Sequence, residues 1–104
     1  MKFETLFKLF DEKRFNIDDT SFCFKNDPQK IERFIGYVPG DERPYWIGRC
    51  DADGGCDFST AKELFEAPVF DRRSLKDRWE DVELLTIGAI GIDEWSIDFC
   101  PPSR

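Results

Sequence analysis

The chain of 104 residues is 40% hydrophobic and 15% aromatic, with 11 Phe and 3 Trp, enough large side chains for the core of one folded domain and too many for a disordered chain. Its net charge of -7 falls wholly in residues 51–104, because residues 1–50 hold nine acids and nine bases, and a negative surface of that kind argues against a nucleic-acid partner. There is no histidine, which removes the usual general base and the commonest metal ligand at neutral pH.

The opening MKFETLFKLFDEK places charges at positions 2, 4 and 8 and has no apolar stretch of secretory length, and no run in the chain approaches a membrane span. A cytoplasmic chain with no membrane partner is therefore expected, with Cys23, Cys50, Cys56 and Cys100 as reduced thiols. Phe3, Leu6, Phe7 and Phe10 fall at i, i+3, i+4 and i+7, so residues 3–14 read as an amphipathic helix. Thr20 to Lys25 alternates, with Phe22 and Phe24 on one side and Ser21, Cys23 and Lys25 on the other, the pattern of a half-buried strand. Asp27 and Pro28 form an N-cap and N1 pair for a brief helical turn.

Phe34 to Val38 and Tyr45 to Cys50 are β-prone and joined through PGDERP, which suits an antiparallel pair with a longer loop. Tyr45 and Trp46 are neighbours on a strand and point to opposite faces, so one belongs in the core and the other at the surface. The chain then turns through Asp51 to Gly55. Thr60 and Glu63 have capping-box spacing and start a helix that ends before Pro68, and Ser74 with Asp77 repeats the signal more weakly for a short helix through Trp79. The basic cluster Arg72, Arg73, Lys76 and Arg78 is interleaved with Asp71, Asp77, Glu80 and Asp81, the pattern of a solvated helix face.

Residues 82–88 carry apolar side chains on both faces and read as an inner strand, bent at Gly88 and Gly91. The tail from Cys100 to Arg104, with Pro101 and Pro102, is expected to fray. The fold expected is α+β: a single domain over 1–104, with a mainly antiparallel sheet of about four to five strands packed on the N-terminal helix and two short helices between the last strands.

Pro44 to Phe65 brings Cys50, Cys56, Asp51, Asp53 and Asp57 into one neighbourhood. Cys50 and Cys56 have five residues between them, wider than a zinc knuckle, and Cys23 and Cys100 have no close partner in sequence. Asp51 and Asp53 match the first and third positions of a calcium loop, but Gly55, Cys56 and Lys62 stand at its fifth, sixth and twelfth. Arg49 adjoins Cys50, yet strand neighbours diverge and the nearby aspartates oppose a thiolate. A disulfide between Cys50 and Cys56 fits the geometry of a hairpin. The acidic pairs Asp18-Asp19, Asp41-Glu42 and Asp93-Glu94 are merely adjacent in sequence, and no phosphate-cradling glycine loop occurs. No catalytic, metal or cofactor residues are therefore assigned. Tyr45, Trp46, Trp79 and Trp95 are of the types that anchor protein interfaces.

Gly36 to Pro39, Pro44 to Gly48, Phe58 to Leu64 and Phe70 to Trp79 together resemble a pattern in a group of small bacterial proteins with no assigned activity: G-Y-x-P, P-Y-W-I-G, F-x-T-A-x-E-L and F-D-x-x-S-L-K-x-R-W. The resemblance covers under half of the chain and implies one compact domain. Arg72 or Arg73 stands where that pattern has glycine, which is expected to move the turn away from positive φ. By elimination, the sequence points to a non-catalytic protein-interaction module of the adaptor, inhibitor or immunity kind, which binds a partner or itself through Tyr45, Trp46, Trp79, Trp95, Asp51, Asp53 and Asp57. An acidic mimic of nucleic acid, or a thiol or metal-dependent enzyme, is the alternative.

Overall fold

Alternation of apolar and small side chains builds a six-stranded sheet in the computed structural model, which describes residues 1–51 and 55–101. The strands are β1 (Thr20–Phe24), β2 (Arg33–Tyr37), β3 (Tyr45–Ile47), β4 (Cys56–Phe58), β5 (Val82–Ile87) and β6 (Ile90–Gly91), in spatial order β4-β3-β2-β1-β5-β6. Each neighbouring pair is antiparallel. Two helices, α1 (Phe3–Asp11) and α2 (Ala61–Glu66), pack on one face of this sheet and against each other. The α+β class and the single domain expected from the sequence are present, and the radius of gyration of 12.8 Å matches the roughly 13 Å of a compact domain this long.

The apolar stripe of α1 buries Leu6, Leu9 and Phe10 and lays Phe3 and Phe7 along the core margin. Phe65 of α2 is their common partner, edge-on to Phe3 and Phe10 at 5.5 and 5.4 Å between ring centres. The helix ends at Asp11, before the expected residue 14, because Lys13 turns to φ 55° and the amides of Lys13 and Arg14 donate back to Phe10 and Leu9. That reversal satisfies the last carbonyls and cannot continue as helix. For α2 the expected cap is in place: the Thr60 hydroxyl oxygen accepts from the Glu63 amide at 3.1 Å.

Three elements differ from expectation. Strand β1 lies in the middle of the sheet and is buried along its whole length, not half-buried: Phe22 and Phe24 enter the core, and Ser21, bonded to the Thr86 hydroxyl of β5, and Cys23 are buried as well. The sixth strand follows from Gly88 and Ala89, both at positive φ, which form the two-residue turn that pairs Ile87 with Ile90. Gly88 is required there, because a Cβ would also collide with the Asn16 carbonyl. The second short helix expected between Ser74 and Trp79 is a run of turns closed by a brief 3-10 segment, Trp79–Asp81. Leu75 is fully buried and β5 begins at Val82, which leaves room for little more than one turn.

The turn before it also departs from expectation. Asp71 and Arg72 take φ 56° and 65° and close a bridge between Phe70 and Arg73, so arginine occupies a left-handed position that usually favours glycine. The tail expected to fray from Cys100 is held through Pro101: Cys100 is fully buried, and the Phe15 amide donates to the Pro101 carbonyl at 3.0 Å. The part of that expectation on 102–104 lies outside the described residues.

Candidate binding face of the sheet

With α1 and α2 on one side, the other side of the sheet carries Phe34 of β2, Trp46 of β3 and Asp57 of β4. The register pairs Trp46 with Gly36 on one neighbour and with Asp57 on the other. Gly36 leaves room for the indole, since a Cβ there would meet the ring at 2.5 Å, and Gly48 lies against the far edge of the same ring and beside Phe34. Two glycines thus form a bed on which Trp46 lies flat. Its indole N–H donates to Asp18 Oδ1 at 2.7 Å, which fixes the ring's direction.

This places a half-buried aromatic ring with the Asp18 carboxylate at its N–H edge and Asp57 opposite it on the neighbouring strand, and Phe34 on the same face is 37% exposed. An electron-rich ring with acidic residues near it is suited to a Lys or Arg side chain. Asp18 also lines a cleft of about 210 Å³ whose walls include Phe15, Ile17, Tyr37 and Val38. Phe15 is 61% exposed and Val38 40%, so the rim of that cleft, which shares Asp18 with Trp46, is apolar.

The residues singled out in the sequence divide into three groups. Trp46 and Asp57 are brought together on this face. Tyr45 is the core member of its pair, 1% exposed, with its hydroxyl donating to the Phe10 carbonyl at 2.6 Å. Burial, with Tyr37 and Asp11 nearby, pushes its pKa up to about 12, so it is a neutral donor that ties β3 to α1. Trp79 and Trp95 are half-buried against the core away from Trp46: Trp79 stands edge-on to Phe3 at 5.6 Å and donates its indole N–H to the Met1 carbonyl at 3.3 Å. Asp51 is exposed but committed locally, its carboxylate accepting from the Asp71 amide at 2.9 Å and its own amide donating to Val69. Asp53 lies outside the described residues.

Phe34, Asp18 and Phe15 belong to the face and were not singled out from the sequence. The available signal was Gly36 within β2 and Gly48 just past the end of β3, on either side of a tryptophan, since glycine in or beside a strand marks a close approach. Of the sulfurs, Cys23 and Cys100 are buried and Cys50 and Cys56 meet at 2.6 Å; among the described residues no three His, Cys, Asp or Glu side chains converge as a metal site. Also among the described residues, no helix is long and apolar enough to cross a membrane. Comparison with known proteins returned no significant match, whether to a family model, to a curated protein or to a solved structure.

Proposed function

We propose that the protein is a non-catalytic interaction module that captures a basic protein segment on the outer face of its sheet. The observation that supports this best is the arrangement of Trp46: an aromatic ring held flat over Gly36 and Gly48, tied to Asp18, facing Asp57 across the ladder, and continuous with exposed Phe34. A cationic side chain laid on the ring gains cation–π attraction and two carboxylate partners, while Phe34 and the Phe15 rim supply apolar contact. The net charge of -7 adds long-range attraction for such a partner.

The rival reading as a mimic of nucleic acid needs its carboxylates aligned on one surface. Here Asp57 sits on the outer face of β4, whereas Glu63 and Glu66 belong to α2 on the opposite side of the sheet. The binding reading is tested by capture with tagged protein, wild type against the double variant Phe34→Ala, Asp57→Lys. The expected result is a basic protein retained by wild type, with affinity at least tenfold weaker for the variant and weakening as salt rises. Equal retention by both proteins, or no partner and no self-association at micromolar concentration, overturns it.

A further inference from the structure

The end of the β3–β4 hairpin holds two sulfurs that partner binding does not use. Cys56 opens β4 opposite Ile47, and the chain that leaves Ile47 returns Cys50 to the same spot, so the two Sγ atoms touch at 2.6 Å. Cys50 is fixed there by its neighbour, because the Asp51 amide donates to Val69 and the Asp51 carboxylate accepts from Asp71. Both cysteines are half-buried, within reach of a small molecule. The other two are not: Cys23 is buried in the central strand, and Cys100 is fully buried with its thiol directed at the Asn16 carbonyl.

We propose that Cys50 and Cys56 are a reversible redox pair, closed to an intramolecular disulfide by a small-molecule disulfide of the glutathione class and reopened by the matching thiol. In the first step the thiolate of one cysteine attacks the small disulfide, forms a mixed disulfide and releases one small thiolate, which takes up the proton lost from the protein. In the second step the other cysteine, as thiolate, attacks the protein sulfur of that mixed disulfide and releases the second small thiolate, which is protonated in turn. Two protein S–H bonds and one small-molecule S–S bond are broken; one protein S–S bond and two small-molecule S–H bonds are formed. The protein pair is oxidised by two electrons and the small disulfide is reduced by two.

Burial, the Cys50 thiol and the carboxylates of Asp57 and Asp51 push Cys56 up to about 11, so its thiolate is scarce near neutrality and exchange is slow there. Touching sulfurs make the second step intramolecular, which favours the closed product over a lasting mixed disulfide. The consequence is a staple across the edge hairpin, whose two strands have only three residues each, next to Asp57 on the binding face.

The test is to incubate the folded wild-type chain with oxidised glutathione in mildly alkaline buffer, block remaining thiols with iodoacetamide under denaturing conditions, and digest with trypsin. Cleavage after Arg49 and Lys62 releases both cysteines in one peptide, residues 50–62. The expected peptide is unalkylated and two hydrogens lighter than the dithiol form, and returns to the doubly alkylated form when dithiothreitol precedes blocking. A doubly alkylated peptide after oxidation, one that keeps glutathione, or one cross-linked to Cys23 or Cys100 overturns the proposal. None of these readouts depends on a partner, so the result stands apart from the binding reading.

Discussion

Gly36 is the residue on which the candidate face depends. Its φ is not in the left-handed region, so its role is steric: a methyl group would press into the Trp46 indole at 2.5 Å and into the Asp18 carboxylate. Gly36→Ala is therefore expected to cost about 1–3 kcal/mol, the range for overpacking a tight contact. It is also expected to red-shift Trp46 emission as the ring lifts from the sheet. Urea unfolding followed by tryptophan fluorescence checks both, and unchanged stability with unchanged emission would show that the glycine bed does not hold the ring. The sequence could say that Tyr45 and Trp46 diverge, because strand periodicity dictates it, but which one entered the core depended on Phe10 standing over β3, a contact 35 residues distant. Phe34 was recognised as a strand residue; its exposure follows from where α1 and α2 pack, which local pattern does not encode.

At the scale of elements, two short side-chain-to-backbone boxes shape the segments that join the strands. Asp27 accepts from the amides of Gln29 and Ile31 and so closes the turn between β1 and β2. Asp77 and Ser74 exchange bonds in the segment before β5. Each aspartate is held below its ordinary value: Asp27 by the Gln29 and Ile31 amides, Asp77 by the Ser74 hydroxyl and amide. A carboxyl with a lower pKa folded than unfolded stabilises the fold fully above the unfolded value, about 3.9, and loses that contribution as pH falls through the folded value. The urea midpoint is thus expected to change little on these groups' account between pH 7 and pH 5 and to drop below about pH 4. Replacing both, Asp27→Ala with Asp77→Ala, is expected to lower the midpoint at neutral pH and to flatten the acid drop. An equally steep drop in the double variant would place the acid sensitivity elsewhere. The same boxes explain what was legible. Thr60 with Glu63 gave α2 directly because the cap is local and six helical residues follow it. Ser74 with Asp77 carried the same local signal, but buried Leu75 and the start of β5 at Val82 stopped the helix. The left-handed turn at Asp71 and Arg72 was hidden because arginine gives no hint of positive φ, and Asp51, 20 residues away, holds the Asp71 amide in place.

For the molecule as a whole, the charge balance sets how it responds to salt. The sheet and its helices form a slab of 37 × 32 × 21 Å carrying a net charge of -7, so in dilute buffer, where the Debye length is about 30 Å, most carboxylates sense one another. Self-repulsion of this kind opposes the compact state. Ion pairs act in the other direction, but those found among the described residues are mostly loose: Lys8 to Glu12, Lys30 to Glu83 and Lys76 to Glu66 span 3.7 to 3.9 Å between side chains that are largely in water. Exposed pairs of that kind contribute about 0–1 kcal/mol each, and salt weakens them as well. The more enclosed cation, Arg78, pairs with Asp71 at 3.7 Å and also sets its guanidinium 3.6 Å from the centre of the Phe24 ring, a partly buried contact that salt screens less. Screening therefore removes more repulsion than attraction. The thermal midpoint is expected to rise by a few degrees between about 0.01 and 0.2 M sodium chloride, and by a similar amount in choline chloride if the cause is screening and not a specific sodium site. Circular dichroism melts in the two salts check this, and a midpoint that falls with added salt would mean that ion pairing, not the acidic excess, governs the stability of this fold.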